Sequence, residues 1–165
     1  MIFVTVGSQK FQFNRLLEEI DHLVEKKFLS AEEIYAQIGY STYEPKFYTY
    51  KQFIDKDEFI EVMEKSSIII SHGGTGSIIN GVKKGKKVIG VPRLKEYGEH
   101  VDNHQIEILE QFSKTNMIYV VSDTLEIGNA IEKVKEIEFE KYQSNTKEII
   151  KIFDNFLNTL NTNGS

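Results

Sequence analysis

His72-Gly73-Gly74-Thr75-Gly76-Ser77, near the middle of the chain, brings an imidazole, three glycines and two hydroxyls into one short stretch. Glycine lets a backbone turn sharply and approach a ligand closely, and the first amides of a helix that follows point outward unpaired. That combination suits an anion, usually a phosphate. The stretch matches neither of two familiar phosphate loops. Ile79 stands where a dinucleotide fingerprint needs a third glycine after Gly74 and Gly76, and no Gly-Lys-Ser/Thr follows at P-loop spacing. On the motif alone, a tight strand-to-helix turn without a ligand stays open as the alternative.

His100 and His104 are four apart with Asp102 between them, the spacing of a metal-binding pair on one helix face. Pro92, Gly98 and the cap-like Asp102 instead start the helix after His100, which breaks that geometry and favours histidines that face solvent or hydrogen-bond a ligand. Asp55-Lys56-Asp57 has the look of paired carboxylates for a metal on a nucleotide diphosphate, but helix capping explains the same residues with less. No metal site is therefore expected. Arg93 and Lys95 sit on a loop where they either face a phosphate or acidic acceptor or are ordinary surface residues. Lys83, Lys84, Lys86 and Lys87 cluster around the far end of a helix and are expected on a solvated surface away from any cleft.

The elements that position these residues alternate in type. Ile2–Val6 is a continuous apolar run, read as a buried parallel strand opening onto Gly7-Ser8. Phe13, Leu16, Leu17, Ile20, Leu23 and Val24 repeat at helical spacing and predict a helix from about Phe11 to Lys26. Strands are expected at Ile34–Ile38, Phe47–Tyr50, Ile68–Ile70, Val88–Val91 and Met117–Val121. Helices are expected after Asp55, from Ile78 to a stop at Lys84-Gly85-Lys86, after Asp102, over Thr124–Ile137 and over Tyr142–Leu160. Such alternation implies an α/β, doubly wound, mostly parallel sheet with helices on both faces, Rossmann-like in organisation. Ligands in these folds sit beyond the carboxyl ends of the strands, where every unusual stretch here falls, so one cleft is expected.

The totals fit a single domain over residues 1–160 with a polar tail at 161–165. With no cysteine there is no disulfide framework and no thiolate chemistry, as in a reducing cytoplasm. The net charge of −5 argues against broad nucleic-acid binding, which relies on clustered Lys and Arg. No stretch has the roughly 20 apolar residues that cross a bilayer, so membrane association is expected to come from a partner.

Phe3-Val4-Thr5-Val6-Gly7-Ser8, Ser71-His72-Gly73-Gly74-Thr75-Gly76-Ser77-Ile78, and Val91-Pro92-Arg93 through Gly98-Glu99-His100-Val101-Asp102-Asn103-His104-Gln105 resemble, in that order, the bacterial exopolysaccharide and capsule glycosyltransferase subunits related to eukaryotic Alg13. The likeness covers residues 1 to about 115, and beyond that only the length and pattern of the helices agree. This family is similar to the C-terminal, donor-binding half of GT-B glycosyltransferases such as MurG. The resemblance implies that Gly7 and Ser8 form a glycine-type loop at the interdomain cleft and that Phe53 and Ile54 lie beside the nucleobase. It also implies that His72, Gly73, Gly74, Thr75, Gly76 and Ser77 hold the diphosphate, and that His104 and Gln105 contact the sugar, with Asp102 and Asn103 orienting that helix start. One departure is Asn80, where MurG-like proteins carry a glutamate for the ribose hydroxyls; an amide can bond a diol, but without charge.

The implied function is the donor-binding catalytic subunit of a two-component inverting glycosyltransferase. A sugar, with galactose as a candidate, would pass from a UDP-sugar to a lipid-linked acceptor in capsule or exopolysaccharide assembly, with no cofactor. Amides and hydroxyls at Gly74–Ser77 would stabilise the leaving diphosphate. His72, Glu99 and His100 are the candidates for proton transfer, His72 being better suited to the leaving group, and a second chain is the other source of the base. That chain would be an Alg14-like membrane-anchored subunit, drawing this one from the cytoplasm to the inner face of the cell membrane. Self-association of the isolated chain stays open. The alternative function is a non-catalytic enhancer that stabilises a membrane-associated glycosyltransferase partner.

Overall fold

A computed structural model describes residues 1–143 together with 150, 151 and 154. The helix expected at Tyr142–Leu160 and the tail at 161–165 fall largely outside the described residues.

Six strands form one parallel sheet: β1 (Ile2–Thr5), β2 (Ile34–Gln37), β3 (Thr49–Lys51), β4 (Ile68–Ser71), β5 (Lys87–Gly90) and β6 (Tyr119–Val120), in the spatial order β3-β2-β1-β4-β5-β6. Ile2 of β1 aligns with Ile34 on one side and Ile68 on the other, and Ile68 aligns with Lys87. The chain leaves β1 toward one edge and returns beside it at β4, so strand order reverses between these two. That reversal opens a crevice beyond their carboxyl ends.

Alternation along each strand divides the core into two layers. Val4, Val6, Ile70, Ile89 and Val91 pack against α1 (Asn14–Glu25) and α5 (Ile127–Glu136) through Leu16, Leu17, Ile20, Ile131 and Val134. On the other face Phe3, Ile69 and Val88 meet α2 (Lys56–Lys65), α3 (Thr75–Lys83) and α4 (His104–Lys114) through Met63, Ile78, Val82, Leu109 and Phe112. Phe3 is fully buried at the centre of that layer. Burying a side chain of this size contributes about 2 kcal/mol or more.

Several boundaries differ from the sequence reading for local reasons. α1 starts at Asn14, not Phe11, because Gln12 Oε1 accepts the Asn14 N–H at 2.8 Å and Phe13 N–H donates to Ser41 Oγ at 3.0 Å. β3 begins at Thr49, not Phe47. Buried Asp21 takes the Lys46 and Phe47 amides and the Tyr43 hydroxyl, while Tyr48 turns inward to donate to Leu17 O. The expected strand at Met117–Val121 shortens to Tyr119–Val120, and a 3-10 turn at Thr124–Glu126 precedes α5. Asp55 caps α2, with Oδ1 accepting the Glu58 N–H at 2.8 Å. Glu58 does not reach back to complete a capping box; its carboxylate takes Tyr35 Oη and Lys51 Nζ.

Candidate functional site

Beyond β1, β4 and β5 lies a cleft of about 610 Å³. Gly7 and Ser8, the whole His72–Ser77 stretch, Asn80, His100, Asp102, His104 and Gln105 all line it. A shallower trough of about 340 Å³ carries Phe53 and Ile54 with Gln37 and Asp55, and shares Gly7, Ser8 and Ser77 with the larger cavity. The sequence leads to the expectation of one cleft; the structure has two adjoining cavities that meet at these three residues. Phe53 is half exposed and stands edge-on to the Tyr40 ring, with centroids 5.2 Å apart, giving the trough an aromatic rim.

Gly74 is the N-cap of α3, and having no side chain it caps nothing. The amides of Thr75, Gly76 and Ser77 therefore open the helix without an internal acceptor, which concentrates partial positive charge at this end of the cleft. Thr75 Oγ1 is buried there without a hydrogen-bond partner. A buried hydroxyl left unpaired is costly, which sets Thr75 apart from the other residues of the turn. One turn on, Asn80 Nδ2 donates to Gly76 O at 2.9 Å, which leaves the amide oxygen as the acceptor free to meet a hydroxyl.

His72 lies between two glycines. A Cβ on Gly7 would come within 2.6 Å of its Cε1, and one on Gly74 within 2.5 Å of both Cε1 and Nε2. Its Nδ1 is 3.2 Å from Thr5 O, so that nitrogen carries the proton. The ring is 6% exposed, and burial, reinforced by the Arg93 guanidinium, pushes its pKa down from 6.5 to about 3. The imidazole is therefore neutral near pH 7 and a weak base, which suits contact with the leaving group better than proton abstraction. The depressed value has a stability consequence. The neutral form is favoured by folding, so the contribution is whole above pH 6.5 and lost as pH falls toward about 3. Thermal melts across that window are expected to drop for the wild type and to drop less for His72→Gln.

The rim residues divide. His100 Nδ1 is 3.2 Å from Asp102 Oδ1, leaving the opposite ring nitrogen for the cleft. Asp102 Oδ1 also accepts the His104 N–H at 3.0 Å. The N-cap of α4 is nonetheless Asn103, whose side chain turns away to take the Lys95 N–H. Asn103 thus orients the rim loop and does not line the groove. His104 begins α4 and His100 lies outside it, and among the described residues no group of three or more His, Cys, Asp or Glu is arranged to hold a metal ion. Gln105 Oε1 accepts the Arg93 N–H, so its amide NH₂ is the end available to a ligand.

Two expectations need correction, and a third holds only in part. Glu99 does not reach an acceptor. It is fully buried, gripped by Arg15 through both oxygens at 2.9 and 3.0 Å, and takes the Leu94 N–H. Its task is to brace the loop, not to move protons. Arg93 is not a surface residue and does not line the cleft, since its whole side chain is buried beneath the Gly7 loop. Lys83 belongs in part with the remote lysines, since its Nζ lies 5.2 Å from the Tyr142 ring centre in a cavity that Lys86 and Lys87 also line. Its side chain also lines the cleft, four residues beyond Ile79 and eight beyond Thr75 on one helix face, whereas Lys84, Lys86 and Lys87 bond to groups at the other pole of the sheet. The i, i+4 spacing from Ile79, itself four beyond Thr75, was the signal that Lys83 shares their helix face. Gln37, whose Nε2 donates to Gly7 O at 3.2 Å, gave no signal, being an ordinary residue at a strand end.

Residues 1–160 match the family described as Glycosyltransferase family 28 C-terminal domain. The chain is 30% identical over 124 residues to the human protein named UDP-N-acetylglucosamine transferase subunit ALG13, covering 72% of this chain and 11% of that one. It is 34% identical over 86 residues to the protein of that name from Yarrowia lipolytica, covering 51% and 42%. The matched region is thus a minor part of these relatives. Among solved structures, the glycotransferase of kitacinnamycin superposes with a TM-score of 0.57 at 13% identity, over 100% of this chain and 40% of that one. CalG4, the calicheamicin glycosyltransferase, gives 0.51 at 14%, over 80% and 34%. At such identities these two bear on the fold alone, and they agree with the doubly wound sheet. With its matched span running through every residue of the groove, the chain belongs to the glycosyltransferase family 28 C-terminal domain family.

Proposed function

We propose that this chain is the donor-binding catalytic subunit of a two-component inverting glycosyltransferase that takes its sugar from a UDP-sugar. The observation that carries the reading is the open start of α3: uncapped amides at Thr75–Ser77, with an unpaired buried hydroxyl, set between a trough with an aromatic rim and the His104–Gln105 rim. In this reading the uracil lies in the Phe53–Ile54 trough, Asn80 takes a ribose hydroxyl, and the diphosphate sits on the α3 amides with Ser8 and His72. The sugar then reaches Asp102, His104 and Gln105. The relatives' name supports a UDP-sugar and a subunit role; N-acetylglucosamine and galactose are the two donors to compare.

As the acceptor oxygen bonds to the anomeric carbon, the bond from that carbon to the diphosphate breaks and its electron pair leaves with UDP. Fixed amide dipoles stabilise the growing negative charge without reorganising. The acceptor proton goes either to His100, steadied by Asp102, or to a base on the second subunit. His72 is too weak a base and Glu99 too enclosed. The second subunit in this reading is Alg14-like and membrane-anchored, and brings a lipid-linked saccharide and this chain together at the cytoplasmic face of the membrane, in capsule or exopolysaccharide assembly. No helix among the described residues is long and apolar enough to cross a membrane.

Two measurements test this. Calorimetry should show UDP binding to the purified chain, weakened about tenfold or more by Ser77→Ala, a loss typical of a charge-assisted hydrogen bond. Labelled sugar should pass from UDP-sugar to a lipid fraction only when the membrane-anchored subunit is co-expressed. Full turnover by the single chain would refute the split site, and a Ser77→Ala pair as active as wild type would favour the enhancer role.

A further inference from the structure

Among the described residues, one buried charge is not balanced by the groups around it. Arg93, just past β5, is 0% exposed. Its Nη2 donates to Val6 O at 2.6 Å and Phe11 O at 3.2 Å, so a single nitrogen ties the two ends of the Gly7–Lys10 loop. Its own N–H is held by Gln105 Oε1 on the opposite wall of the cleft. Nε and Nη1 of the same guanidinium are buried without partners. The Phe13 ring lies 5.7 Å from its centre, and the neutral His72 ring is the neighbour whose pKa it depresses.

Glu99 is the carboxylate that acts on Arg93, and it is already taken by Arg15 through both oxygens. Two guanidinium groups therefore share one carboxylate, with a positive charge in excess. Burial lowers the Arg93 pKa to about 10, which still leaves it cationic at neutral pH. A charge taken out of water without a full partner is expensive, and its retention beneath a cleft lined by bare amides points to an anion that comes and goes.

Resting on the donor reading above, we propose that Arg93 is a positioning residue of the donor site whose counter-charge arrives with the bound pyrophosphate. It clamps the Gly7–Lys10 loop from below and sets a positive potential that favours a diphosphate over a monophosphate. Arg93 does not line the cleft, so it acts through the loop, through Gln105 and through the field it sets up.

Calorimetry with UDP and UMP on wild type, Arg93→Gln and Arg93→Lys tests the idea. Arg93→Gln is expected to lose about tenfold or more in UDP affinity but threefold or less for UMP, because the effect of a fixed charge scales with the charge it faces. Arg93→Lys, which keeps the charge, should keep the UDP-to-UMP ratio. Equal losses for both nucleotides in Arg93→Gln, or a lost ratio in Arg93→Lys, would show a merely structural clamp and overturn the proposal. Should Arg93→Gln not fold, the wild type still decides. Inorganic pyrophosphate must raise its melting temperature and displace UDP, and inorganic phosphate must do so far less; equal effects, or none from pyrophosphate, also overturn it. Failure of the wild type to bind UDP would remove the donor reading itself.

Discussion

Replacing Gly74 by alanine is expected to abolish UDP binding at any concentration reached in calorimetry, a loss of at least a hundredfold, because the added methyl has nowhere to go. Its Cβ would stand 2.5 Å from two atoms of His72. The ring cannot retreat: Gly7 lies against the same edge, and Nδ1 is anchored on Thr5 O. The start of α3 must then move, and a shift of about 1 Å in positioning groups is enough to cost a hundredfold. Stability should fall by only about 1–3 kcal/mol, the usual effect of overpacking at one site. Gly76→Ala is the control, since a Cβ there meets no protein atom within 4 Å. Loss of UDP binding in that variant would report contact with the ligand and not with the protein. A Gly74→Ala protein that binds UDP like wild type would show that His72 and the turn are not the rigid unit described.

Glu99→Ala is expected to lower the free energy of unfolding by about 3 kcal/mol or more, the usual result of removing one partner of a buried ion pair. The variant strands the Arg15 guanidinium, leaves the Leu94 N–H without its acceptor, and removes the carboxylate that acts on Arg93. Glu99→Gln should lose less, because the amide oxygen can still serve Leu94 N–H. Urea denaturation of the two variants measures the difference. Undiminished stability in Glu99→Ala, together with lost sugar transfer, would return Glu99 to the list of proton-transfer groups.

These two residues also show what the sequence could reveal. Gly74 was legible because glycine between a β-branched run and a helix start has few other uses, and Ile68–Ile70 and Ile78–Ile79 mark both flanks. The alternation of elements was legible for a similar reason, since strands buried on both faces read as unbroken apolar runs. Glu99 was not. An acidic residue on a polar loop reads as exposed, and only the fold brings Arg15, from the first helix, across to cover it. Arg93 was hidden the same way, with its partners at Val6 and Phe11 far back in the chain. Boundaries slipped where tertiary bonds overrode local pattern, as when buried Asp21 drew the Lys46 and Phe47 amides away from the sheet.

Gly7 and the open start of α3 follow β1 and β4, the two strands at the middle of the sheet, while the rim from Leu94 to Asn103 hangs beyond β5 and is tied down by a handful of side chains. On the proposed donor reading, retooling the molecule for a different sugar therefore has an obvious address. The peripheral rim can be rebuilt piecemeal, whereas any edit to the two central strand ends would unseat the keystone of the whole arch.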